Sequence, residues 1–311
     1  MSAIHAVTGA FGYSGKYIAS RLLEREHHVI TLTRSPNRPN PFGGQVIAYP
    51  YAFEDEDKLA HTLTGVEVLY NTYWIRFNHR RFSQREAVKN TRTLFNAARK
   101  AGVRRIIHVS ITNPSPDSPF EYFRGKAELE QALKDSGIPY TILRPAILFG
   151  HEDILVNNIA WGLRRFPLFP VFGAGEYRVQ PIHVEDFARL AVRESQENEN
   201  RIIDAVGPET FTYRELVKTI GAAIGKPRPM VSTPPALAYL KAKMLGLFVG
   251  DVVLSREEID ALMADLLCTE SPPAGETKLT EWAQDNADML GRRYASELAR
   301  REDRDKAYSE L

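Results

Sequence analysis

The run Thr8-Gly9-Ala10-Phe11-Gly12-Tyr13-Ser14-Gly15 constrains this chain more than any other feature. It follows a β-branched-rich stretch, Ala3 to Thr8, and leads into Tyr13 to Arg25, where Ile18, Leu22 and Leu23 recur at helical spacing. The glycines fall in the pattern G-x-x-G-x-x-G. At such spacing Gly9 allows a tight turn, Gly12 lets backbone amides approach a pyrophosphate, and Gly15 lets the helix pack closely on the strand. The helix N-terminus adds unpaired N–H groups and the positive end of its dipole. Spaced glycines alone also suit a purely structural turn. The strand–turn–helix context favours dinucleotide binding, with Thr8, Gly9, Phe11, Gly12, Tyr13 and Gly15 as contact residues.

The next 130 residues alternate short apolar runs with helical patterns. Strands are expected at His28–Thr33, Gln45–Tyr49, Val66–Tyr70, Arg104–Val109 and Tyr140–Leu143, the last stopped by Pro145. Helices are expected at Asp57–Leu63, Ser83–Lys100 and Phe120–Asp135. Such alternation calls for an α/β fold, a Rossmann-type doubly wound parallel sheet with its binding crevice at the carboxyl ends of the strands. Residues 1–150 form the expected dinucleotide-binding domain. Residues 151–311 read as mainly a smaller C-terminal substrate lobe, with some segments returning to the sheet. Thr212–Gly225 and much of Ser255–Leu267 read as helical, and the charged tail from Trp282 onward as a surface helix.

Composition narrows the function classes. Forty basic and 39 acidic residues leave a formal +1, so no general attraction to nucleic acid is expected. The balance is uneven, since residues 76–105 hold ten Lys or Arg and one acid, Glu86. A solvated helix face is the plainer reading, and a locally basic site beside the crevice the sharper one. A single cysteine, Cys268, excludes an internal disulfide and a multi-cysteine zinc site, and reads as a packing residue. His151, Glu152 and Asp153 lack a spaced second ligand set, so no metal is expected. Neither a signal peptide nor a membrane span is expected, and with a lone cysteine a reducing cytoplasm is the default expectation. Pro234 to Leu254 is apolar but carries Lys241, Lys243 and Asp251. It suits a cap over a small-molecule site or a homodimer contact, with peripheral membrane contact as the remaining alternative.

The end of the second strand reads Thr31-Leu32-Thr33-Arg34-Ser35. An Asp or Glu there would accept from an NAD ribose 2′-OH. Arg34 instead offers a guanidinium to a 2′-phosphate. NADP(H) is therefore favoured, with NAD(H) as the alternative and Arg38 able to share the role. Asn71, at the end of the fourth strand, is a further candidate cofactor contact.

Tyr122 and Lys126 stand at i and i+4 at the start of a helix, which places them on one face. A nearby ammonium makes a tyrosine a usable acid. The spacing recurs at Tyr239 and Lys243, so position decides: Tyr122 follows the fifth strand and its helix opens at the crevice. Ser110 and Thr112 alternate onto one side at the end of that strand, as hydroxyls for a substrate oxygen or as plain strand terminators.

Together these residues resemble the short-chain dehydrogenase/reductase superfamily, especially its extended and atypical NAD(P)-binding members of epimerase/dehydratase type. The resemblance also rests on Leu143-Arg144-Pro145 running to Phe149-Gly150, and on Gln180-Pro181-Ile182-His183-Val184-Glu185-Asp186. Those two segments look like the branch containing the nucleotide-binding accessory subunit of respiratory complex I. The resemblance implies Tyr122 as acid/base and Lys126 on the nicotinamide ribose. It further implies Thr112 or Ser110 polarising the substrate oxygen, and Pro145 against the nicotinamide. Departures argue against a sugar-nucleotide substrate: Arg144 leads to Ile147 and Phe149-Gly150-His151 rather than R-x-x-N-x-Y-G-P. Tyr49-Pro50-Tyr51 replaces the usual adenine-contacting Asp. Tyr73 and Trp74 replace a small, Ala-rich turn, as an aromatic substrate wall, a block, or plain packing.

The leading expectation is an NADP(H)-dependent oxidoreductase that reduces a carbonyl or similar small apolar group, with Tyr73, Trp74 and His183 facing substrate. The alternative is a non-catalytic NADP(H)-binding sensor or accessory subunit. A nucleotide-sugar epimerase or dehydratase ranks last.

Overall fold

Six apolar runs, each followed by a helix or a tight turn, become six strands of one sheet. A computed structural model describes residues 3–310. It places β1 at Ile4–Thr8, α1 at Tyr13–Leu23, β2 at His28–Thr33 and β3 at Val46–Pro50. α2 at Glu56–Thr62, β4 at Val66–Asn71 and α3 at Gln84–Lys100 follow, then β5 at Arg105–Val109, α4 at Glu121–Asp135 and β6 at Tyr140–Pro145. The seven-stranded sheet runs in the order Arg201–Ala205, β6, β5, β4, β1, β2, β3. The ladders β3–β2, β2–β1, β1–β4, β4–β5 and β5–β6 are all parallel. This is a Rossmann-like doubly wound sheet. Its strand order reverses between β1 and β4, where such sheets bind ligands.

β1 is buried from His5 through Thr8, because helices cover both faces of a parallel sheet. Ala6, Leu32, Leu69, Ile106 and Ile142 of the strands pack with Leu94, Ala97 and Ala98 of α3 and Leu129 and Leu133 of α4. Element ends differ from expectation by one or two residues. α1 stops at Leu23 because Glu26 turns left-handed at φ 60° and the chain must enter β2. Pro145 belongs to β6 rather than stopping it: its missing N–H costs nothing there, while its carbonyl accepts from Thr112 at 3.2 Å.

The chain forms two compact units. Unit 1 comprises Met1–Pro145, Phe187–Asp204 and Arg304–Tyr308. Its second segment is stapled to the sheet by Arg105, which is fully buried. That guanidinium donates to the carbonyls of Glu194 at 3.1 Å, Tyr140 at 3.1 Å and Glu199 at 2.6 Å, and to the Thr141 hydroxyl at 2.7 Å.

Unit 2 comprises Ala146–Asp186, Ala205–Asp303 and Ser309–Leu311. Short strand pairs and helices surround a core that includes Leu163, Val171, Leu216, Ile220 and Leu290. The tail does not form the expected surface helix. It breaks into Leu279–Asp285 and Glu297–Glu302, and Trp282 and Leu290 are buried. The reason is local anchoring that charge pattern does not reveal. Arg164 donates to the carbonyls of Leu290 and Ala287, and Gly291 lies so close to the Ala160–Trp161 backbone that a Cβ there would sit 2.4 Å away. Much of Ser255–Leu267 is helical as expected, over Arg256–Met263, and Asp265 at φ 59° follows its end. Among the described residues no helix is long and apolar enough to cross a membrane.

Candidate nucleotide-binding site

The glycine loop of unit 1 has the geometry its spacing implies. Gly9 sits at φ 68°, and Gly12 N–H closes the turn on the Gly9 carbonyl at 2.8 Å. A Cβ on Gly15 would stand 2.4 Å from that same carbonyl, so only glycine lets α1 start this close to β1. Thr31 locks the loop to β2 by accepting from Ala10 N–H at 2.9 Å and donating to the Val7 carbonyl at 2.7 Å. Gly12 caps α1 with no side chain to accept from the first-turn N–H groups. A helix start built this way is a cradle for an anion. Phe11 is buried, 6.4 Å from the Phe42 ring; Tyr13 is half-buried and edge-on to Tyr17.

Arg34 is exposed at the end of β2, and Ser35 N–H turns back to the Thr33 hydroxyl at 3.1 Å. Beyond β3 and β4 lies an aromatic cluster. Tyr51 stacks on Phe53 at 4.6 Å, and Tyr73 lies 5.1 Å from each. The Tyr73 hydroxyl accepts from the Asn90 amide at 3.0 Å. Burial drives the Tyr51 hydroxyl pKa up, only partly opposed by the Arg34 charge. These rings form an aromatic cluster, with Tyr73 set at an angle to the stacked Tyr51 and Phe53, where the expected acidic residue is missing.

Thr8 and Asn71 are fully buried and join β1 to β4. Thr8 Oγ accepts from Thr72 N–H at 2.7 Å, and Asn71 Oδ1 accepts from Tyr73 N–H at 3.1 Å. The Asn71 amide lies 3.0 Å from His108 Nδ1. Burial, with Lys126 nearby, holds the His108 pKa well below its usual value, so the ring is neutral. With Asn71 Oδ1 serving as acceptor, its NH2 donates to Nδ1 and the His108 proton sits on Nε2. Both residues therefore shape the crevice floor from within.

Tyr122 and Lys126 do share one face of α4, but a third residue joins them. Trp74 is T-shaped to the Tyr122 ring at 5.5 Å, and the Lys126 ammonium lies 4.4 Å from the Trp74 ring centroid. Gly125 makes room: a Cβ there would meet the indole at 2.9 Å. Lys126 is 2% exposed and donates to the Val109 carbonyl at 2.7 Å. Burial pushes its pKa down to about 7, against the raising effect of the Glu130 carboxylate. The indole contact also favours the charged form. Tyr122 stays half-buried, and the indole N–H of Trp74 is buried with no acceptor among the described residues.

Ser110 is buried and donates to Glu130 at 2.6 Å, while Arg144 grips both Glu130 oxygens at 2.9 and 2.6 Å. Thr112 is fully buried and Pro145 is buried behind it. This Ser110–Glu130–Arg144 network went unnoticed in the sequence, although Tyr122, Lys126 and Glu130 repeat at four-residue steps along α4. Part of the basic stretch is likewise spent in pairing, Arg92 with Glu128, Lys100 with Asp57 and Arg104 with Glu67.

His183 belongs to unit 2, its ring 5.1 Å from Phe149 and 6.0 Å from Trp282. There Asp153 accepts from the N–H groups of Leu155, Val156 and Asn157, so it starts the helix Leu155–Arg165.

Residues 9–158 match the NAD(P)H-binding family. That match, with the relatives and folds below, supports an extended, short-chain dehydrogenase/reductase-like NAD(P)-binding family. The chain is 26% identical over 287 residues to NADH dehydrogenase (ubiquinone) 1 alpha subcomplex subunit 9, mitochondrial, of Arabidopsis thaliana. The match covers 86% of this chain and 71% of that protein. In fold it resembles the NADPH-dependent quinone oxidoreductase of Escherichia coli complexed with NADPH. The TM-score is 0.73 at 24% identity, covering 90% of this chain and 99% of the other. A second likeness is the Citrobacter triphenylmethane reductase complexed with NADP(H). Its TM-score is 0.75 at 21% identity, covering 92% and 99%.

Proposed function

We propose that this chain is an NADP(H)-binding protein that holds its dinucleotide without running a tyrosine–lysine dehydrogenase cycle, as a sensor or accessory subunit. One observation carries the reading: Lys126 is 2% exposed, bonded to a strand carbonyl, and covered by Trp74. A lysine so engaged does not reach a ribose while the indole stays in place. The hydroxyl of Ser110 is committed to Glu130, and Thr112 is fully buried. The glycine loop and the uncapped start of α1 fit a pyrophosphate, and Arg34 fits a 2′-phosphate better than a 2′-hydroxyl. The likeness to a complex I accessory subunit supports the same reading.

A second reading is a reductase of a carbonyl or another small apolar acceptor. The half-buried Tyr122 beside a lysine held near neutrality favours it. A reduced nicotinamide would supply the hydride and Tyr122 the proton, with Trp74 and Tyr73 as the acceptor's wall.

Titration calorimetry with NADPH and NADH, followed by a turnover assay over aldehydes, ketones and quinones, separates the two. The expected result is NADPH binding with no cofactor oxidation. Turnover by the wild type that Tyr122→Phe abolishes while NADPH binding persists would overturn the holding reading and establish the reductase.

A further inference from the structure

The last element of unit 1 comes from the far end of the chain. The segment Arg304–Tyr308 belongs to the same compact unit as the glycine loop. Arg304 Nη1 donates to the Arg34 carbonyl at 3.1 Å, a contact between residues 270 apart in sequence. Four residues on, the Tyr308 ring edge lies 4.0 Å from where Gly12 would carry a Cβ. The segment thus spans from the end of β2 to the phosphate-binding turn, along the adenosine side of the crevice.

Arg304 is half-buried, and its bond to the Arg34 carbonyl holds the guanidinium at the backbone where β2 ends; the Arg34 side chain itself is exposed. The segment thereby brings a second guanidinium to the strand end that carries Arg34. No carboxylate follows β2, where the chain runs Thr33-Arg34-Ser35-Pro36-Asn37-Arg38. We propose that Arg304 is a specificity-determining residue that closes on the 2′-phosphate of NADP(H) opposite Arg34. The ligand class is a 2′-phosphorylated adenosine. A planar fork suits that phosphate, and an unphosphorylated ribose offers it no anion. The inference rests on the reading that the glycine loop of this chain binds NADP(H).

Calorimetric titration of the full chain and of Arg304→Ala with NADPH and with NADH tests it. A charge-assisted hydrogen bond lost to a phosphate corresponds to roughly 10- to 100-fold weaker binding. The expected result is that loss for NADPH with NADH binding unchanged, and an intermediate loss for Arg304→Lys, which keeps the charge without the fork. NADPH binding at wild-type strength in Arg304→Ala, or equal losses for both dinucleotides, would overturn the proposal. So would tighter binding of both by Arg304→Ala or Tyr308→Ala, which marks the segment as a plug. A wild type that binds neither dinucleotide removes the NADP(H) reading itself, whatever the variants do.

Discussion

At the scale of single residues, Lys126 is the most revealing position. Its burial opposes charge, while the Trp74 ring, the Val109 carbonyl and Glu130 favour it. The net result is a pKa near 7 in place of the usual 10.5. Between those values the unfolded chain binds the proton more tightly than the folded chain, so this group makes stability rise with pH. Lys126→Met removes that contribution. The variant's thermal midpoint relative to wild type is therefore expected to be highest at pH 7 and below, and to lose that advantage as pH approaches 10. A difference independent of pH in melting curves from pH 6 to 10 would contradict the assignment. The glycine loop was legible in the sequence because its logic is local: Gly9, Gly12 and Gly15 act within one turn and the helix that follows. The fate of Lys126 was not, because Trp74 arrives from 52 residues upstream and α4 itself carries no sign of it. The partner of Ser110 was not legible for a similar reason. Its acceptor, Glu130, is set by how α4 packs on β5 and β6, and by an arginine on the next strand.

At the scale of elements, hydrophobic period and glycine placement were enough for all six N-terminal strands and their helices. Their ends shifted by a residue or two where caps and left-handed turns decide the boundary. The second half was less legible, because its strands have two to five residues and pair non-locally. The segment that returns Arg201–Ala205 to the sheet edge is tied down by Arg105, which the sequence places on the fifth strand, within the basic stretch 76–105, without revealing its partners. Arg105→Ala would leave three carbonyls and a hydroxyl in the sheet edge without their donor. A loss of about 3 kcal/mol or more is expected in urea denaturation. The neighbouring Arg104, partly exposed, pairs with Glu67 and donates to the single carbonyl of Ser195, so Arg104→Ala should lose less, about 1 kcal/mol. Equal effects from the two would show that the buried Arg105 network holds the edge no better than the partly exposed Arg104 does.

At the scale of the whole molecule, the most conspicuous surface feature is the helix Pro235–Val249. Leu247 and Phe248 are 83% and 85% exposed, and Met244 and Leu240 stand out on the same helix. The combined change Leu247→Ser and Phe248→Ser removes little packing. The folding free energy is expected to stay within about 0.5 kcal/mol, while binding of a hydrophobic-surface dye falls. A large drop in stability would mean these side chains are packed in solution. Trp74 has a separate consequence at this scale. Of the three tryptophans, Trp161 and Trp282 lie in unit 2, which leaves Trp74 as the sole indole of unit 1. It lies against the ammonium of Lys126 and the ring of Tyr122, so its emission is a built-in optical gauge of that corner. Its intensity should change as Lys126 titrates near neutral pH, and excitation transfer from it should reveal a reduced nicotinamide arriving beside it.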